Sequence, residues 1–122
     1  MIRSVNDIAA FTGTDAPVES FAPAPEKLLE GACGQTVQNV FSDASGRFHC
    51  GIWTGEAGCW TVSYDEDEFC HLLEGEVEIS DRQGGSRRFG PGDAFVVPAG
   101  FAGTWRNLSA AKKLYVILEP AA

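Results

Sequence analysis

The stretch GPGDAFVVPAGFAGTWRN, residues 90–107, decides how the rest of the chain is read. A short apolar run, residues 94–97, lies between two turn clusters, GPGD before it and PAG after it. Glycine and proline at such offsets punctuate the chain. An apolar run of this length bounded by turns reads as a buried strand. A second strand follows the PAG turn and runs through Trp105. Paired strands at the mouth of a barrel are a common place to mount a functional group. Here no His, Cys, Asp or Glu follows the second turn, and the position three residues beyond Gly100 is Gly103.

Working outward, the same pattern recurs. QTVQNVF, residues 35–41, alternates. RFHCGIW puts Phe48, Cys50 and Ile52 on one face and His49, Gly51 and Trp53 on the other. CWTVSY puts Trp60, Val62 and Tyr64 on a common face. FCHLLEGEVEI holds two short strands broken at Glu74 and Gly75, SDRQGGS is a hairpin loop, and KKLYVILEP supplies a late strand. Only PEKLLEG has a helical look. Short strands with turn signals between them predict an all-β sandwich or barrel. Residues 1–34 carry three of the six prolines. They read as an extended lead-in that packs on the barrel or adds an edge strand, with residues 35–122 forming the barrel domain.

A chain of 122 residues makes one domain the default. The formal net charge of -8 argues against nucleic acid and anionic membrane surfaces as partners. The start shows no charged segment leading into an apolar one, so no signal peptide is expected. No apolar run is long enough to span a bilayer. Cys33, Cys50, Cys59 and Cys70 form no C-x-x-C pair, which suggests reduced thiols in a cytoplasmic protein.

The spacing Gly92-x5-Pro98-x-Gly100, with a strand through Asn107, resembles the second motif of the cupins. EFCHLLEGEV, residues 68–77, resembles the tail of their first motif. GIW, YDEDEFCHLLEG, FGPGDAFVVPAGFAGTW and KLYVI together are similar to small single-domain cupins of the (S)-ureidoglycine aminohydrolase and ethanolamine-utilisation group. The resemblance implies a cupin-type β-barrel, a double-stranded β-helix or jelly roll, and suggests a homodimer, which would bury edge strands.

Metal-binding cupins carry a His-x-His pair ahead of a glutamate and a third histidine after the P-x-G turn. Carried over, those positions are Val62, Tyr64 and Gly103, and only Glu68 keeps the ligand type. One carboxylate does not hold a transition metal, so neither metal nor cofactor is expected. The alternative is an unusual set of Tyr64, Glu68 and Cys70. Alternation points Val62, Tyr64, Glu68, Cys70 and Trp105 inward. An aromatic-lined pocket of this kind suits a small polar ligand. The enzymatic alternative is aminohydrolase-like chemistry on a ureido or amino compound, with Glu68 and Tyr64 as acid and base. The plainer reading makes Glu68 a satisfied inner residue and Trp105 a plug. His71 should face away from Glu68, and His49 reads as a strand-surface histidine.

Overall fold

The structure is a computed structural model that describes residues 2–121. Eleven strands account for most of it: β1 (Glu19–Phe21), β2 (Leu28–Glu30), β3 (Gln35–Ser42), β4 (Phe48–Gly55), β5 (Gly58–Ser63), β6 (Asp67–Glu74), β7 (Val77–Ser80), β8 (Ser86–Phe89), β9 (Ala94–Val97), β10 (Ala102–Asn107) and β11 (Ala111–Leu118). They form two antiparallel sheets. The larger runs β1-β3-β4-β11-β6-β9 and the smaller β2-β5-β10-β7-β8. The all-β expectation holds. The helical reading of PEKLLEG does not: Pro25–Lys27 makes one 3-10 turn, and Leu28 to Glu30 then pair with β5. Proline at the start of that turn fixes φ without continuing into an α-helix.

Strand alternation sets which side chains meet between the sheets. Directly paired residues share a face. In the larger sheet His49, Ile117, Glu68 and Val97 form one inward row. Gly51, Tyr115, Cys70 and Phe95 form the next, and Trp53, Lys113 and Leu72 the third. In the smaller sheet Leu28, Trp60, Trp105, Ile79 and Arg87 are aligned. The core between them gathers Trp53, Trp60, Trp105, Leu72, Val77 and Tyr115. Burying several aromatic side chains contributes much of the stabilisation, since each removes on the order of 150–250 Å² from water.

The two turns of the opening stretch fold as their residues dictate. In PAG, the N–H of Phe101 donates to the carbonyl of Pro98, and Gly100 sits at φ +95°. That is the third position of a type II turn, which requires the left-handed region. The turn is clamped to the end of β5: the Gly100 N–H donates to the Tyr64 carbonyl at 2.7 Å, and the Tyr64 N–H to the Phe101 carbonyl at 2.9 Å. Sequence-distant segments thus meet at Tyr64.

The lead-in is structural. β1 extends the larger sheet by pairing with β3, and β2 extends the smaller by pairing with β5. Residues 22–27 therefore cross from one sheet to the other at the barrel mouth. Among the described residues no helix is long and apolar enough to cross a membrane.

Candidate functional site at the barrel mouth

Glu68 is buried, and the cause of its tolerance is Lys113. The Lys113 ammonium lies 3.1 Å from a Glu68 carboxylate oxygen and 3.5 Å from the Cys70 sulfur. It also sits 4.3 Å from the ring centre of Trp105 and 4.7 Å from that of Trp53. A buried ammonium needs compensation for lost hydration, and a carboxylate with two indole faces supplies it. Burial is the largest influence and works against the charged lysine, but Glu68 and Cys70 together, through charge and hydrogen bonds, outweigh it and hold Lys113 above its ordinary value. Glu68 is therefore half of a buried ion pair with Lys113.

The neighbours hold their protons. Burial pushes Cys70 up to about 12; Lys113 partly offsets this, and Glu68 adds to it. Burial also lifts Tyr64 well above its usual range, and the Glu68 charge raises it further. A phenol and a thiol in this state donate hydrogen bonds and do not act as bases at neutral pH.

Above the ion pair opens a cavity of about 370 Å³. Its walls include Trp53, Trp60 and Trp105, with Tyr64, Glu68 and Lys113 supplying polar groups. Phe21, Pro23 and Lys27 of the lead-in line its outer side. Trp53 donates its N–H to Gln35 and Trp105 to Asn107, both at 2.8 Å. Asn107 also donates to the Glu56 carbonyl at 2.9 Å, so it braces backbone and indole together.

The sequence-derived residues separate into two groups. Val62, Tyr64, Glu68 and Trp105 meet at this cavity. Cys70 lies behind it, fully buried against Lys113. Gly103 lies outside the lining, paired with Val62 across β5 and β10. A Cβ at Gly103 would collide with the carbonyl of Ser80, so no side chain, imidazole or other, fits there without moving β7. His71 faces the opposite side of β6 from Glu68, as alternation required. His49 departs from its surface assignment: it is half-buried on the inward row of Glu68 and lines a neighbouring recess of about 310 Å³. Its Nδ1 lies 2.7 Å from the Ser42 hydroxyl.

The residues do not fit the metal that cupin barrels commonly carry. Val62 offers no donor and Gly103 has no room for one. Of the three remaining donors, Tyr64 and Cys70 hold their protons, and Lys113 places a positive charge beside Glu68 and Cys70. Among the described residues no group of three or more His, Cys, Asp or Glu side chains is arranged to hold a metal ion. Lys113 is the residue that sequence reasoning missed. Its signal was present in KKLYVILEP: alternation through Tyr115 and Ile117, both apolar-facing, forces one of the two lysines inward.

Comparison with known proteins supports the fold. The EutQ protein of Clostridium difficile is 18% identical, with a TM-score of 0.64 over 71% of this chain and 64% of that one. A DUF861 protein of unknown function from Pseudomonas syringae pv. tomato is 22% identical, with a TM-score of 0.76 over 84% of this chain and 45% of that one. A DUF861 protein from Thermotoga maritima is 24% identical, with a TM-score of 0.51 over 81% and 97%. The chain thus spans less than two thirds of the first two relatives. No curated protein matches it. The family model for the EutQ-like cupin domain matches residues 42–115, from the end of β3 to Tyr115, and on the strength of that match together with the barrel the chain belongs to the EutQ-like cupin family.

Proposed function

We propose that this cupin binds a small polar metabolite at the barrel mouth, without a transition metal in the site. The observation that carries the reading is the Lys113 ammonium held between Glu68 and Cys70 beneath an aromatic-walled cavity. Two donors border that cavity: the ammonium and the protonated Tyr64 phenol. A ligand bearing a carbonyl or carboxylate satisfies such donors, and the indole faces cover its apolar part. The aminohydrolase-like alternative needs Glu68 and Tyr64 to exchange protons with substrate. A phenol that keeps its proton and a carboxylate already paired favour binding over that chemistry.

The test is a thermal-shift screen of metabolites, followed by mass analysis of every stabilising compound after incubation. We expect a ligand that raises the melting temperature and is recovered unchanged. At one hundred times its Kd, such a ligand adds about 2.7 kcal/mol. Glu68→Gln and Tyr64→Phe should each weaken it about tenfold, the worth of a hydrogen bond involving a charged or buried group. A converted product would replace the binding reading with the enzymatic one.

A homodimer in a reducing, cytoplasmic setting belongs to the same proposal. All four cysteines are free. Val96, Phe69, Val116, Cys50 and Phe41 form an apolar row across five strands on the outer face of the larger sheet. Val96 is 58% exposed and Phe69 40%. Apolar surface arranged this way favours a partner copy. Sedimentation should give a dimer for the parent and a monomer for Phe69→Lys with Val96→Lys; a monomeric parent contradicts the proposal.

A further inference from the structure

A second cavity, remote from the ion pair, opens in the seam where β8 and β9 end their respective sheets. These strands are joined by the turn at residues 90–93 but do not pair with each other. The seam encloses about 310 Å³, at the lower end of the range for small-molecule pockets. Ile79, Phe89, Phe95, Val97 and Phe101 supply its apolar lining. The rings of Phe89 and Phe95 stack at 4.0 Å between centres.

The register of β8 adds a charge to this apolar space. Arg87 pairs with Ile79, which pairs with Trp105, so Arg87 lies on the same face of the smaller sheet as Trp105 but is exposed, at the rim of the seam. Its guanidinium carbon lies 5.1 Å from the ring centre of Phe89. Arg88, one residue on, faces outward and pairs with Glu78 at 3.0 Å. Arg106 and Lys113 likewise have acidic partners, Glu30 and Glu68. Arg87 has none among the described residues. Asp81 also lines the seam; one of its carboxylate oxygens accepts from the N–H groups of Gln83 and Gly85 in its turn, at 2.8 and 2.9 Å.

A cation at the rim of a phenylalanine-lined recess is complementary to an amphipathic anion. We propose that the β8–β9 seam is a binding site for a small aromatic or branched aliphatic carboxylate, with Arg87 pairing the carboxylate and Phe95 and Phe101 receiving the apolar end. A planar guanidinium suits that pairing, because it presents two N–H groups to two oxygens. The proposal is independent of the barrel-mouth reading. The competing account of Arg87 is edge protection, since charged side chains deter edge strands from pairing with other chains. That account calls for no ligand.

The experiment titrates the full ¹⁵N-labelled chain with 3-phenylpropanoate and with its neutral analogue 3-phenylpropanamide, following amide shifts. We expect saturable shifts at Ile79, Arg87, Phe95 and Phe101 with the carboxylate, and affinity about fivefold lower for the amide, the scale of a partly exposed ion pair. Arg87→Gln should bring the carboxylate down to the level of the amide, and this exposed position leaves the fold intact. Shifts confined to the barrel mouth, absence of saturation in the millimolar range, or equal affinity in the parent and Arg87→Gln would each overturn the proposal.

Discussion

Replacing Lys113 with methionine lowers the stability of the fold by about 3–5 kcal/mol, read from the denaturant midpoint at neutral pH. Methionine matches the length and volume of lysine, so packing against Trp53 and Trp105 changes little. What changes is Glu68, whose buried carboxyl group loses the ammonium paired with it. The cost is then that of an uncompensated buried carboxylate, a large share of the roughly 5–15 kcal/mol that holds a domain together. Adding Glu68→Gln to Lys113→Met should recover much of the loss, because the orphaned charge is gone. A double variant near the parent, with Lys113→Met alone far below it, assigns the penalty to the pair. If Lys113→Met costs under about 1 kcal/mol, the pair is hydrated and behaves as a surface salt bridge.

Trp105→Ala is the second large effect, at about 3–5 kcal/mol. Trp105 is 1% exposed and meets Trp53, Trp60 and Phe95 with ring centres 6.0 to 6.5 Å apart. Its removal leaves a void between the sheets, strips one aromatic face from Lys113 and leaves the Asn107 side-chain oxygen without its indole donor. Trp105→Phe should cost less than half as much, since it refills most of the space. Near-ultraviolet circular dichroism should lose the signal of the packed indoles in Trp105→Ala. If Trp105→Ala melts like the parent, Trp105 is a cavity wall only and carries no core load.

The fold was legible because period-two alternation is local. HCGIW and KLYVI each declare their two faces, and GPGD and PAG declare their turns. Most of the mouth was legible for the same reason: Tyr64, Glu68 and Trp105 follow from alternation plus the family spacing. Lys113 was hidden by expectation, since a lysine in a strand is normally read as solvent-facing. Its burial depends on a carboxylate on the neighbouring strand β6, and that pairing is a matter of register between segments far apart in the chain. The collision at Gly103 was hidden similarly, because it comes from the backbone of β7. The β8–β9 seam had no sequence signal beyond Arg87 and Arg88. Which arginine turned toward the seam was set by β7 pairing through Ile79. Residues 22–27 read as part of an extended proline-rich lead-in, and the strands on either side anchor them across the mouth.

The central proposal is that the barrel mouth works without a transition metal, with Lys113 paired to the one carboxylate that keeps a ligand type. Elemental analysis of untagged protein, purified without chelators, tests it most directly. The account predicts iron, manganese, nickel and zinc each far below one equivalent per chain, unchanged when the growth medium is supplemented. A full equivalent of any of them, lost in Glu68→Gln, would contradict it.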